Sequence, residues 1–500
     1  MGDLGANLAL GFTTALSFQN VFLCFMGCLI GTLVGVLPGV GPIATIAMLL
    51  PLTFNFDPTG ALIMLAGIYY GAQYGGSTTA ILVNMPGEAT SVVTTLDGHQ
   101  MARQGRAGIA LGIAAIGSFF AGTVATFVIA ALGVPLTRVA LLFGPAEYFA
   151  LMVLGLACAM VLARGSVLKA FAMIALGLLL ATIGTDLETG EERLTFGIAE
   201  LSDGIDFAVL AMGLFGIAEI LRNFDLTIDA RMVRSAIGRL LPSKADLKQS
   251  IWPILRGTGL GAILGILPGN GAVLGPFAAY TLEKKLAKDP SRFGRGAIEG
   301  VAGPESANNA GAQTAFIPLL TLGIPPNAVM ALMVGAMTIH GIIPGPLVMT
   351  KSPQLFWGMV ASMWIGNLML LIINLPLIGL WVRLLKVPYR LLYPSILLFC
   401  CIGIYSLNNS VSDVLLTAIF GFVGYALYKC GFEPAPMVLG FVLGKLMEEK
   451  LRQALVLSRG NPMTFVERPV AAVLLLIAIA IVAIAVLPSV RRSRDEAFQG

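Results

Sequence analysis

The chain has 500 residues, of which 57% are hydrophobic and 12% charged, with a formal net charge of +4, against roughly 45–50% apolar and about 25% charged in soluble domains. Such a composition excludes an ordinary soluble enzyme, and so small a net charge gives no support for a nucleic-acid partner. Counted in spans of about 20 residues, the length holds about twelve transmembrane segments, and the chain reads as an all-α polytopic membrane protein.

The N-terminus lacks the basic start and small-residue cleavage site of a signal peptide, so Met1 is expected to begin the mature chain. An apolar approach over 21–37 meets Pro38-Gly39-Val40-Gly41 and departs over 43–52, after which Asp57-Pro58-Thr59-Gly60 leads into a new apolar run over 61–70. A polar island follows, Gly71-Ala72-Gln73-Tyr74-Gly75-Gly76-Ser77-Thr78-Thr79, and then Asn84-Met85-Pro86-Gly87-Glu88-Ala89. The stretch from Gly98-His99 to Arg103 and Arg106 reads as an ordinary basic loop, the alternative being a counter-charge for an anion. Spans are expected over 109–132, 146–162, 167–183 and near 205–221, and later over 356–380, 391–407, 414–428 and 470–487.

Charge placement orients these spans. The segment 186–203 is acidic, with Glu188, Glu191, Glu192 and Glu200 against the single Arg193, whereas Arg222, Arg231, Arg234, Arg239, Lys244, Lys248 and Arg256 follow the next span. The positive-inside rule makes the basic stretch cytoplasmic and the acidic one outward-facing. The chain then leaves the cytoplasm near Ile251, meets Pro268-Gly269-Asn270-Gly271, and reaches Glu283-Lys284-Lys285, which again reads as cytoplasmic. Residues 251–282 suffice for two half-helices of about 16 residues, each roughly 24 Å long and short of a comfortable crossing. A re-entrant hairpin tipped at Pro268 to Gly271 fits this count better than a kinked single span. Near the C-terminus, basic residues flank both ends of the last span, at 445–468 and 491–494, so one side must break the rule or another re-entrant piece must intervene.

Gly35 to Gly41 (GVLPGVG) returns as Gly265 to Gly271 (GILPGNG), 230 positions on (265 less 35), and Gly31 falls on Gly261 at that offset. Repeats of a helix breaker at membrane depth mark transporters whose substrate site lies where two related halves meet. The expected organisation is a first membrane repeat over 1–222, a basic cytoplasmic connector over 223–250, a second membrane repeat over 251–468, and a last transmembrane helix with its basic tail over 469–500. The motif does not decide between inverted and parallel repeats.

Pro and Gly at such a tip leave amide and carbonyl groups that lipid cannot satisfy, so each tip must be buried in protein or line a wet cavity. Unpaired N–H groups at a half-helix start attract a carboxylate, and unwound carbonyls beside them can hold Na⁺. The second island, Gly303-Pro304-Glu305-Ser306-Ala307-Asn308-Asn309-Ala310-Gly311-Ala312-Gln313-Thr314, leads to Gly323-Ile324-Pro325-Pro326-Asn327. Hydroxyls and amides at this density are expensive in an apolar setting unless they meet a polar cavity, although Ser, Thr and Asn also join transmembrane helices. The candidate substrate-binding residues are Pro38, Gly39, Val40, Gly41, Ser77, Thr78, Thr79, Asn84, Pro268, Gly269, Asn270, Gly271, Ser306, Asn308, Asn309 and Gln313. Candidate cation-binding residues are Gly39, Gly269, Asn309 and Thr314. Glu88 and Glu305 each read as a proton or cation carrier, a helix cap, or a charge in a wet loop.

The sequence offers no enzyme motif. His99 and His340 stand far apart without metal-ligand spacing, no GxxxxGK[ST] occurs, and Gly75-Gly76-Ser77-Thr78 is not a nucleophile elbow. The six cysteines lie in apolar runs without a CxxC and read as buried thiols.

Three segments, GTLVGVLPGVGPIATIAMLLPLTF (31–54), YYGAQYGGSTTAILVNMPGEATSVVTTLDGHQMARQGRAG (69–108) and the run from GILPGNGAVLGPFAAYTLEKK to FGRGAIEGVAGPESANNAGAQTAFIPLLTLGIP (265–325), resemble the large membrane subunit of the tripartite tricarboxylate transporters, the TctA family. The likeness extends over nearly the whole chain. It implies a secondary transporter of the bacterial inner membrane that works with a small membrane subunit (TctB-like) and a periplasmic solute-binding protein (TctC-like). It further implies uptake of di- or tricarboxylates or related organic anions coupled to Na⁺ or H⁺, by alternating access and without ATP or another cofactor. The alternative reading is an uncoupled anion channel or a non-translocating membrane scaffold.

Overall fold

The computed structural model of the chain describes residues 4–37, 41–163, 166–186, 188–224, 239–267, 271–384 and 392–486, which are almost entirely helical. Pro38, Gly39, Val40, Pro268, Gly269 and Asn270 lie outside the described residues, as do Arg231, Arg234 and the basic tail beyond 486. The first part runs α1 (Leu4–Ala15), α2 (Phe18–Val36), α3 (Pro42–Thr53), α4 (Pro58–Val83), α5 (Val92–Arg103), α6 (Ala107–Ala140), α7 (Pro145–Leu162) and α8 (Val167–Ala181). Their ends follow local chemistry. The Ser17 hydroxyl accepts from the Asn20 amide at the start of α2, and the Asp57 carboxylate accepts from the amides of Thr59 and Gly60, with Pro58 in the first turn of α4. α4 continues helically through the whole polar island and stops at Asn84, whose φ of 59° is left-handed.

A short ladder of β1 (Gly184–Thr185) and β2 (Glu192–Arg193) precedes α9 (Phe207–Ala211), a π-helical turn over Met212–Ile217, and α10 (Ala218–Phe224), so the span expected near 205–221 is helical with an irregular middle. The remainder is α11 (Lys244–Ile266), α12 (Gly271–Leu286), α13 (Glu299–Thr314), α14 (Phe316–Leu322), α15 (Ala328–Ile339), α16 (Leu347–Lys351), α17 (Pro353–Asn374), α18 (Ile378–Leu384), α19 (Leu392–Asn408), α20 (Val411–Lys429), α21 (Pro434–Leu457), α22 (Thr464–Glu467) and α23 (Pro469–Val486). Among the described residues, four helices are long and apolar enough to cross a membrane: α2, α6, α17 and α20. Other expected spans fall on shorter apolar helices such as α7, α8 and α23. The stretch 98–103, read from sequence as a loop, is the second half of helix α5, whose buried face carries Asp97, Gly98, Met101 and Ala102.

Close glycine packing positions the core. A Cβ on Gly27, Gly31 or Gly35 of α2 would fall 2.2, 2.4 or 2.3 Å from the carbonyl oxygens of Met64, Ile68 and Ala72 on α4. A Cβ on Gly257, Gly261 or Gly265 of α11 would fall 2.2, 2.1 or 2.4 Å from those of Gly303, Ala307 and Gly311 on α13. Every glycine of the second set stands 230 positions after one of the first, and every partner 239 positions after its counterpart (72 to 311). The same step of 239 carries left-handed Asn84 onto left-handed Gly323 and Glu88, with φ −150° and ψ 170°, onto Asn327, with φ −152° and ψ 174°. Small residues at every fourth position let two helices approach until backbone touches backbone, which is how helices gain packing energy in lipid.

The partners of the two tips differ. α12 folds back along α11 and α13, and the Arg256 guanidinium on α11 clasps Glu283 on α12 through bonds of 2.7 and 2.6 Å. α11 and α12 thus pack against each other on either side of residues 268–270. α3 instead packs against α4, α15, α19 and the π turn, with little contact to α2. A single large core, including Ile46, Leu65, Tyr70, Phe316, Met333, Phe356 and Trp357, draws on residues from both ends of the chain. Of the cysteines, Cys24, Cys28 and Cys400 are buried as expected, whereas Cys401 and Cys430 are exposed.

Candidate functional site

A buried polar seam lies where α4 and α5 meet α13. It is centred on Glu305, which has no solvent exposure. The Ser77 hydroxyl of α4 lies 2.5 Å from Glu305 Oε2, and the Thr94 hydroxyl of α5 bonds Oε1. Four residues on, Asn309 donates to the Ser118 hydroxyl of α6 at 2.7 Å and to the Glu305 carbonyl at 3.1 Å. Beside it, Asn308 donates to Glu88 at 3.3 Å, the Thr90 hydroxyl also bonds Glu88, and Thr90 reaches the Gln73 side-chain oxygen at 3.0 Å. On the far side of Ser77, Tyr74 donates to Asn367 of α17 at 3.0 Å, and Asn367 donates to the Phe119 carbonyl at 2.7 Å.

Each residue arrives here for a local reason. Gly75 and Gly76 let α4 press against α2 and against the Glu88 segment, which brings Ser77 to the seam. Pro304 sits within α13 near its first turn and leaves the helix intact. The Glu88 backbone is extended, and a Cβ on Gly87 would fall 2.1 Å from the Gly35 carbonyl oxygen, so only glycine allows the chain to pass the end of α2.

The sequence-derived candidates divide by geometry. Ser77, Asn308 and Asn309 meet in the seam. Thr78 and Ser306 bond carbonyls one turn back, at Tyr74 and Ala302, and so are satisfied within their own helices. Thr79 donates to the Val36 carbonyl at 2.8 Å, closing one of the carbonyls left open where α2 ends. Thr314 bonds the Ala310 carbonyl, and Gln313 is buried with its side-chain oxygen unpartnered. Asn84 is an exposed left-handed helix cap, away from the seam. Gly41 precedes α3 with open space at its Cβ position, whereas a Cβ on Gly271 would fall 1.8 Å from the Leu264 carbonyl oxygen. Pro38, Gly39, Val40, Pro268, Gly269 and Asn270 lie outside the described residues.

Residues not singled out from sequence complete the seam: Gln73, Thr90, Thr94, Ser118 and Asn367. Thr90 and Thr94 stand in the hydroxyl-rich run Thr90-Ser91-Val92-Val93-Thr94-Thr95, whose density was the available signal. Asp97 is a second missed residue. Its carboxylate accepts from the amides of Gly294, Gly296 and Ala297 at 2.7–2.9 Å and from the Tyr280 hydroxyl, latching α5 to the segment before α13. Arg106 pairs with Asp246 at 2.9 Å rather than standing free as a counter-charge.

Three buried polar atoms near the seam lack partners among the described residues: Gln73 Nε2, Asn308 Oδ1 and Gln313 Oε1. Unmet hydrogen-bonding capacity of this kind is uncommon in a finished core and calls for a water, an ion or a ligand to meet it. A cavity of about 20 Å³ lined by Tyr74, Ser77, Thr78, Ser118 and Asn374 adjoins it. That space suits about one water molecule and is too small for a tricarboxylate. Among the described residues no group of three or more His, Cys, Asp or Glu side chains is placed to hold a metal ion.

The comparisons with known proteins agree with the motifs. The profile of the family described as "Tripartite tricarboxylate transporter TctA family" matches residues 21–439. A 52.8 kDa protein of the TAR-I ttuC' 3' region of Agrobacterium vitis is 59% identical over 498 residues, covering 100% of this chain and 99% of that protein. A protein of the TAR-II ttuC' 3' region of the same organism is 59% identical over 238 residues, 48% of this chain and 98% of its own length. No solved structure matches the chain. With family motifs, whole-length similarity and a helical membrane architecture in agreement, the chain belongs to the tripartite tricarboxylate transporter TctA family, as a membrane transporter subunit.

Proposed function

We propose that this subunit forms the translocation path for cation-coupled uptake of di- or tricarboxylates or related organic anions across the bacterial inner membrane. It works with a small TctB-like membrane subunit and a periplasmic TctC-like solute-binding protein. The observation that carries this reading is the seam itself, in which unpartnered side-chain amide atoms of Gln73, Asn308 and Gln313 and the hydroxyls of Ser77 and Thr94 are gathered where the two glycine-zippered helix pairs meet. The matching glycine steps of 230 and 239 support reading those pairs as related halves.

In this reading the binding protein delivers the carboxylate at the outer face. The amides and hydroxyls then receive it as one half shifts against the other, and the site opens inward. The water-sized cavity supports assigning this structure to a closed state, since a carboxylate could enter only after the seam parts. Ser77, Asn308 and Asn309 are the proposed substrate contacts, with Gln73 and Gln313 beside them. Asn270 against Val40 makes the two tips unequal, so the second tip contributes the polar side chain.

The test is uptake into vesicles holding the chain with both partner subunits. Labelled carboxylate should accumulate under an imposed Na⁺ or H⁺ gradient. Ser77→Leu and Asn270→Leu should abolish uptake while leaving membrane insertion and monodisperse elution intact. Wild-type affinity and rate in both variants would overturn the site, and uptake that needs ATP but no ion gradient would overturn the coupling.

A further inference from the structure

Glu305 poses a hydrogen-counting problem that substrate binding alone does not explain. Its carboxyl is fully buried, and its partners are two neutral hydroxyls, Ser77 and Thr94. The Ser77 hydroxyl has one hydrogen but two acceptors in reach, Glu305 Oε2 at 2.5 Å and the Gln73 carbonyl at 2.9 Å. If Glu305 were ionised, a full charge in a buried helix interface would rest on two neutral donors, which do not replace the hydration it loses. If Glu305 carries a proton on Oε2, every group is served once: Glu305 donates to Ser77, Ser77 donates to the Gln73 carbonyl, and Thr94 donates to Oε1.

Among the described residues, the surroundings offer no other neutralising charge. On α11 and α12, Arg256 and Glu283 are bound to each other. On α5, Asp97 is held by three amides and Tyr280, His99 Nδ1 meets the Ile81 carbonyl at 3.1 Å, and Arg103 is exposed. Arg106, just before α6, pairs with Asp246, and Arg138 near the far end of α6 is exposed. Glu299 at the start of α13 pairs with Arg292. The nearest titratable neighbours are Tyr74 of α4 and the partly buried Glu88, which is held by Thr90 and Asn308. A metal cation would need several oxygens spaced around it, whereas the Ser77 and Thr94 hydroxyls bond the Glu305 carboxyl oxygens directly.

We propose that the coupling ion is a proton and that Glu305 is the group that carries it, a step that rests on the carboxylate-uptake reading above. The proton enters from the outer aqueous phase onto Glu305 Oε2 and neutralises the seam, which can then close. It leaves to the cytoplasm when the seam opens inward. The water-sized cavity on the other side of Ser77 gives the departing proton a polar neighbour. Only the O–H bond at Glu305 Oε2 forms and breaks, no electrons are exchanged, and one proton crosses with each filling and emptying of Glu305.

Two measurements on the full chain decide this. Infrared difference spectra at pH 7, wild type against Glu305→Gln in lipid, should contain the C=O band of one protonated carboxyl. Identical spectra in that region would overturn the assignment whether or not transport is reconstituted. In Na⁺-free vesicles with both partner subunits, addition of citrate or succinate should alkalinise the outer medium, and an inward proton gradient should drive accumulation. Glu305→Gln, checked for monodisperse elution, should lower that accumulation to the level of protein-free vesicles. Accumulation driven by a Na⁺ gradient and indifferent to pH would sink the proton proposal while leaving carboxylate transport standing. Absence of accumulation under every ion gradient would instead overturn the coupled-uptake reading, and with it Glu305 as the coupling group.

Discussion

Asp186 shows what a single well-placed carboxylate does in a loop outside the membrane. Arg452 of α21 donates to both its oxygens, at 3.2 and 2.6 Å, and the Glu188 amide donates at 2.9 Å. The Arg452 hydrogen bonds, then the Glu188 amide, hold its pKa down to about 2 from the usual 3.8. A depressed carboxylate stabilises the fold fully above its unfolded value and loses that contribution as pH falls through its folded value. Thermal midpoints measured on acidification should therefore drop between about pH 4 and pH 2 in the wild type. Asp186→Asn should lower the midpoint at neutral pH and flatten that acid limb, and an unchanged limb would contradict the assignment. The acidic character of 186–203 was legible in the sequence, but its partner was not, because Arg452 lies more than 250 positions downstream. Glu305 is the same case inside the seam. Its burial among hydroxyls could be suspected from the island, yet Ser77 and Thr94 reach it only through the fold.

At the scale of helices, the glycine rows decide how closely elements approach. In Gly261→Val the added Cβ would lie 2.1 Å from the Ala307 carbonyl oxygen, a backbone atom that cannot swing aside. Overpacking of this kind costs about 1–3 kcal/mol, and the backbone contact places this variant toward the upper end. Gly259 lies on the same helix with open space at its Cβ position, so Gly259→Ala should keep or raise the midpoint, gaining up to about 1 kcal/mol of helix propensity. Thermal unfolding of both variants in detergent compares them directly, and equal losses would refute the zipper. Across the hairpin, Glu283→Gln should loosen α12 from α11 by about 1–2 kcal/mol, the cost of breaking a buried pair discounted because Arg256 is about a third exposed. The packing of α12 against α11 was legible from the basic residues at both outer ends, which the positive-inside rule assigns to one side. The path of α3 was not. The tip before it has the same spelling, but the surfaces that draw α3 toward α15 and α19 come from distant parts of the chain.

For the molecule as a whole, side-chain pairs sort the helix ends onto two faces. Arg452 with Asp186 and Arg193 with Glu448 tie the segment after α8 to the last turns of α21, and Arg468 with Glu147 ties the start of α23 to the start of α7. At the other ends, Lys169 donates to the Cys430 carbonyl at 2.7 Å and the Arg222 guanidinium stacks 4.2 Å from the Tyr428 ring. The basic stretch at 445–468, which the positive-inside rule alone could not place, thus shares a face with the acidic segment. Arg452 and Arg468 pair there with carboxylates, whereas Lys169 meets the Cys430 carbonyl and the Phe432 ring, and Arg222 stacks on Tyr428 while pairing with Glu219 at 3.5 Å. The run of Lys and Arg from Arg222 to Arg256 lies on the Lys169 and Arg222 side and marks that side as cytoplasmic by the positive-inside rule, so the acidic face should be periplasmic and α23 should carry the basic tail inward. In a cysteine-free background, a membrane-impermeant maleimide applied to intact cells should label Thr189→Cys and spare a restored Cys430, which is exposed on the opposite face. Inverted vesicles should reverse that pattern. Labelling of both sites from one side would break the two-face assignment, and with it the inward direction assigned to the hairpin between α11 and α12.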